Sequence, residues 1–220
     1  MNPHCPDTIV RTGVELPAGA TRLALASEVE AGVYALQLRP RWRPIPTGRW
    51  QVMGPFPSGY DPRKQDDSVR QAMEVVLGPE ADPSLDAVRR PCGAVATWRA
   101  LEPAQENPDD HAVDFVKRCG DGKGVAFART VVESAEERLV AMAIATDWWA
   151  DVFVNGERMS GRASEGQAGI QGCGFSTCAF TPFTCRFKAG ANVIVVKNHG
   201  GRGGNGFRLY VNRNNEDEQE

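Results

Sequence analysis

No stretch of the 220 residues approaches the roughly 18 consecutive apolar residues of a membrane-spanning helix. Met1-Asn2-Pro3-His4 lacks the basic start and apolar core of a secretory signal. The expected location is therefore cytoplasmic, or extracellular or periplasmic if the segment belongs to a longer secreted chain. No excess of one charge exists either, with 25 basic against 28 acidic residues. Four of those acids sit in the closing stretch Asn214-Asn215-Glu216-Asp217-Glu218-Gln219-Glu220, expected to be a solvated tail, so the body is close to neutral. That balance argues against a nucleic-acid or anionic-membrane partner. Cys-x-x-Cys is missing, which removes the zinc-knuckle reading. Cys173, Cys178 and Cys185 cluster, Cys5, Cys92 and Cys119 are scattered, and buried free thiols are expected.

The inventory for catalysis is equally thin. His4, His111 and His199 lie far apart without metal-ligand spacing, and no Gly-x-Ser-x-Gly elbow occurs. The glycine-rich segment from Asn198 to Asn205 lacks the Gly-Lys-Ser/Thr ending of a phosphate loop. No enzyme activity and no cofactor are expected, with structural calcium near Asp147 the one metal allowed for.

What the chain has is alternation and turns. Over Arg138–Thr146, Val140, Met142 and Ile144 share one face, and Leu139, Ala141, Ala143 and Ala145 share the other. The second face is small and apolar, so both faces are expected to be covered. Val152-Phe153-Val154 runs into Asn155-Gly156, the residue pair favoured in a two-residue hairpin turn. Val193–Val196 is a branched apolar run, and Phe207, Leu209 and Val211 alternate with Arg208, Tyr210 and Asn212. Further strands are expected at Trp50–Met53, Ala94–Trp98, Val113–Val116 and Val125–Val132. One short helix is expected, opened by a capping box of Ser68 and Gln71 and closed by Gly78. Many short strands with almost no helix predict an all-β antiparallel sandwich.

Residues 8–39 echo the closing strands. Leu16-Pro17-Ala18-Gly19-Ala20 and Phe187-Lys188-Ala189-Gly190-Ala191 both lead into a strand, a glycine-bearing loop and an alternating strand. Residues 1–44 are therefore read as a degenerate half-repeat plus a connector, stiffened by Pro40, Pro44 and Pro46, residues 45–213 as the sandwich, and 214–220 as the tail.

Trp50-Gln51-Val52-Met53-Gly54-Pro55-Phe56, Val95-Ala96-Thr97-Trp98, Asp147 with Val152-Phe153-Val154-Asn155-Gly156, Phe187–Lys197 and Gly206–Leu209 resemble the strands of galactose-binding-like jelly rolls, the carbohydrate-binding-module-like domains found beside bacterial glycoside hydrolases. The resemblance covers roughly residues 47–213. It implies a jelly-roll β-sandwich and a non-catalytic carbohydrate-recognition or accessory module of a larger glycan-active or surface protein. The implied partners are a glycan or glycoside and a neighbouring catalytic domain. The alternatives are a packing or oligomerisation module without small ligand, and a jelly-roll enzyme such as a polysaccharide lyase using His199 or a tyrosine with Arg202.

The residues themselves point to one loop end. Of the adjacent Trp148 and Trp149, one is expected in the core and the other as a sugar-stacking platform. Trp50 and Trp98 read as core pillars. The glycines after Asn198 let backbone approach a ligand closely, and His199, Arg202 and Asn205 supply donors. Trp148, Trp149, His199, Arg202 and Asn205 are the candidate ligand-binding residues.

Overall fold

The computed structural model describes residues 42–59, 65–89, 94–102, 111–116, 124–147, 149–159, 181–200 and 205–212. The echo at 8–39, the acidic tail and five of the six cysteines lie outside them. The strands are Trp42–Pro44 (β1), Gln51–Phe56 (β2), Ala87–Arg89 (β3), Val95–Thr97 (β4), Arg99–Ala100 (β5), Val113–Asp114 (β6), Val125–Ser134 (β7), Arg138–Asp147 (β8), Trp149–Val154 (β9), Glu157–Arg158 (β10), Thr181–Phe187 (β11), Gly190–His199 (β12) and Gly206–Asn212 (β13). A helix, Gln65–Glu74 (α1), follows β2.

The strands form two sheets that pack as a sandwich. One runs β1-β13-β8-β11 with β6 also on β13, and the other β10-β9-β12-β7-β2-β5, while β3 and β4 pair separately. Every pairing is antiparallel. The long strands alternate between the sheets: β7, β9 and β12 lie in the six-stranded sheet, and β8, β11 and β13 in the five-stranded one. The all-β antiparallel sandwich expected from the alternation is the observed fold.

Burial follows the period of two. Val140, Met142 and Ile144 of β8 meet Val152, Val154, Ile194 and Val196 of the facing sheet in the main core. Trp50 is a core pillar as expected, standing edge-on to Phe207 with ring centroids 5.1 Å apart. Such a pair adds about 0.5–1.5 kcal/mol beyond its buried area. On the other face of β8, Ala143 and Ala145 are covered by Tyr210 and the half-buried Trp42, whereas Leu139 is 61% exposed because that cover stops short of it. Trp42–Pro44, expected in the connector, is an edge strand of the sandwich registered on Tyr210–Asn212. Proline is tolerated there because an edge strand has no neighbour on its outer side.

The Asn155-Gly156 turn forms as expected. Asn155 has φ +52° and Gly156 φ +83°, and Glu157 pairs directly with Val154. The Asn155 side chain also ties the turn to β12: its Oδ1 accepts from Val193 N–H at 3.0 Å and its Nδ2 donates to Asn192 Oδ1 at 2.9 Å. Two expectations need correction. The helix opens at Gln65, so Ser68 lies inside it rather than at its cap. Gly78, at φ +118°, does not end the helix but turns the next segment, its carbonyl accepting from Ala81 and Asp82 N–H. The strand expected over Val113–Val116 stops at Asp114 and turns helical at Phe115, whose ring fills the core.

Candidate functional site

The outer face of the six-stranded sheet is the second buried surface. Met53, Phe56, Val125, Phe127 and Val195 are covered there by Ala72 of α1 and Ala96 of β4. Arg129 fastens the cover by stacking 4.5 Å over the half-buried Trp98 and donating to the carbonyls of Pro83 and Leu85.

Along β12 this face changes from apolar to polar. After Val193 and Val195 come Lys197 and His199, both buried. Lys197 Nζ donates to Glu80 Oε1 at 2.8 Å, to Met73 O at 3.0 Å and to Val75 O at 2.5 Å. All three ammonium donors are thus used on the end of α1 and the segment after it. Carbonyls at a helix C-terminus lack intrahelical partners and attract a cation. The group therefore anchors the cover, and its buried charge is satisfied internally.

His199 is different, because its ring faces a hydroxyl. Its Nδ1 lies 2.7 Å from Gly200 O and its Nε2 2.7 Å from Ser58 Oγ. A carbonyl can only accept, so Nδ1 carries the proton and Nε2 accepts from the Ser58 hydroxyl. Burial holds the imidazole below its usual pKa of 6.5, opposed in part by the bond to Gly200, so the ring is neutral at neutral pH. Ser58 is only partly buried and gives this pair its access to solvent.

Two close backbone approaches put Ser58 there. A Cβ on Gly54 (φ +122°) would sit 3.1 Å from Ala126 Cα, and one on Gly124 (φ +134°) 2.2 Å from Phe56 O. Only glycine fits either position. They draw the end of β2 onto the start of β7, where Phe56 pairs with Val125 and Val125 with His199. Ser58 follows two residues after Phe56 and reaches the end of β12.

Trp149 is the residue directly opposite His199 across β9 and β12. Trp149 is buried and packs on Val69 and Met73 of α1. Among the described residues its buried indole Nε1 has no hydrogen-bond partner. On the inner side of the same strand end, Asn198 Nδ2 donates to Thr146 Oγ1 at 2.8 Å and to Trp149 O at 2.7 Å. Asn205, also fully buried, accepts at its backbone carbonyl from Phe115 N–H. Both ends of the glycine-rich loop are thus rooted in the sandwich.

Of the five candidate residues, the structure brings Trp149 and His199 together across one ladder and roots Asn205 at the far end of the loop. Trp148 and Arg202 lie outside the described residues, as does the side chain of Asp147. Ser58 was missed by the sequence reading. It lies 141 positions from His199, and no motif marks it. Among the described residues, no cluster of three or more His, Cys, Asp or Glu side chains is arranged for a metal. Cys185 is buried and free, its thiol pushed up to about 12 by desolvation. A cleft of about 460 Å³ lies toward the other end of β7, between Arg49, Glu133 and Arg138 over Val140 and Phe187. Six or seven residues of strand, roughly 20 Å, separate it from the His199 end.

No family model and no curated protein matches the chain. Among solved structures, it is similar to a β-glucuronidase of an uncultured Clostridium (12% identity, TM-score 0.36, 82% of this chain and 30% of that one). It is also similar to a β-glucosidase of Kluyveromyces marxianus (16% identity, TM-score 0.33, 49% of this chain and 15% of that one). A third is a family 35 carbohydrate-binding module of Clostridium thermocellum (13% identity, TM-score 0.27, 42% of this chain and 73% of that one). The chain spans less than a third of the length of either enzyme.

Proposed function

We propose that this β-sandwich is a carbohydrate-recognition or accessory module that works beside a catalytic domain and holds its ligand at the His199 end. The observation that supports this reading is the meeting of Ser58, His199 and Trp149 at the end of β12, where the glycine-rich segment begins. A partly open hydroxyl, an indole N–H without a partner among the described residues and glycine-permitted backbone access suit a ligand rich in hydroxyl groups. Loops held by a rigid scaffold are also where binding residues concentrate. In this reading Trp148 supplies the stacking face and Arg202 the donors, while His199 orients the Ser58 hydroxyl and Asn205 fixes the base of the loop.

A glycan array followed by isothermal titration calorimetry tests the reading. Millimolar or tighter binding that drops at least tenfold in Trp148→Ala/Arg202→Ala, with the melting temperature kept, supports it. Equal binding by that variant moves the site elsewhere. No binding at millimolar concentration favours a packing module instead.

A further inference from the structure

We infer that Ser58 and His199 form a nucleophile–base pair able to hydrolyse an acyl ester. The elements that activate a serine are a base within hydrogen-bond reach and a group that orients the base. Here the Oγ–Nε2 separation is 2.7 Å, and the Gly200 carbonyl holds the Nδ1 proton at 2.7 Å, leaving the Nε2 lone pair aimed at the hydroxyl. The backbone carbonyl does the orienting that a carboxylate does in a triad. His199 is neutral and fully buried, whereas Ser58 is only partly buried, so a substrate meets the hydroxyl first. Gly59 follows with φ +62°, and among the described residues nothing lies within 4 Å of where its Cβ would be. Its amide follows the nucleophile directly, the place of an oxyanion donor.

In the first step Ser58 Oγ attacks the acyl carbon, and its proton passes to His199 Nε2. The bond from the acyl carbon to the alcohol oxygen breaks, and that oxygen leaves with the proton from Nε2. Water then gives a proton to Nε2 and attacks the acyl-serine. Ser58 Oγ departs with that proton, and the products are an acid and an alcohol. The pair itself does not depend on the recognition reading; the choice of O-acylated glycans as substrate class rests on it.

The test uses the full chain with p-nitrophenyl acetate, acetylated xylan and a fluorophosphonate probe. The expected result is one probe adduct on Ser58 by peptide mass spectrometry, and nitrophenol release that falls about 100-fold or more in Ser58→Ala at unchanged melting temperature. The midpoint of the acid limb of the rate should lie below pH 6.5, because burial holds the imidazole below its usual value. No adduct, an adduct elsewhere, or equal turnover by Ser58→Ala overturns the pair. Nitrophenyl acetate turnover without acetate release from the xylan overturns the substrate class. Glycan binding by a chain that takes no adduct leaves the recognition reading standing while this inference fails.

Discussion

Replacing Lys197 by methionine removes the cation paired with Glu80 while keeping most of the side-chain volume. Both partners are almost fully buried, at 2% and 5% side-chain exposure, so water screens the pair little. Glu80 would keep only the Leu77 N–H at 3.0 Å, and Met73 O and Val75 O would each lose a charge-assisted donor. Breaking a buried pair from one side costs about 3–5 kcal/mol. For a domain of this size that lowers the melting temperature by roughly 6–20 °C. Lys197→Met/Glu80→Gln removes the stranded charge as well, leaving mainly the buried Met73 carbonyl unmatched at about 1–3 kcal/mol, since the exposed Val75 can turn its carbonyl to water. The double variant should therefore be more stable than Lys197→Met alone. Guanidinium unfolding followed by tryptophan fluorescence gives the energies, and hydrogen exchange shows whether α1 amides lose protection first. A cost below about 1 kcal/mol for Lys197→Met, or two single costs that simply add, would refute the reasoning.

Gly156→Val should destabilise by about 1–3 kcal/mol in the same assay, because a branched side chain resists φ +83° and its Cβ would lie 3.3 Å from Ala81 O. For His199 the folded pKa is below the unfolded value near 6.5, so the unfolded state takes up the proton first as pH falls. Stability is unaffected by this group above about pH 6.5 and declines below it until the folded value is reached. His199→Gln should show a shallower decline between pH 6.5 and 5, and an identical slope in the two proteins would contradict the assignment. Cys185, raised to about 12, should stay unalkylated by iodoacetamide at pH 8 in the native protein and react on unfolding, as peptide mapping would reveal.

The fold was legible because its signals are local. Alternation in Arg138–Thr146 reports a strand, and Asn155-Gly156 reports a turn that needs two positive φ angles; both are properties of a few neighbouring residues and survive without knowledge of the partner strand. Trp50 as a pillar followed from the same pattern. Trp42 did not, because a proline-flanked tryptophan reads as connector until β13 offers it an edge to pair with. The helix start was misplaced because Ser68 makes a sound local cap, while the helix that packs Val69 and Met73 on Trp149 begins at Gln65.

The site divides along the same line. Glycine density and donors marked the loop after Asn198, and the paired tryptophans implied that one is interior, so His199 and Trp149 were visible as residues worth weighing. Their relation was not. Register alone sets Trp149 across from His199, and close approaches at Gly54 and Gly124 alone carry Ser58 to the imidazole. Lys197 likewise read as one more residue of a strand, yet the folded chain buries its ammonium and satisfies it with Glu80 and two carbonyls more than 110 positions away. Most strands and the Asn155-Gly156 turn could be read from the chain, since propensity and periodicity act over a few residues. Which polar groups meet follows from the folded arrangement, because desolvation and hydrogen bonding depend on neighbours in space.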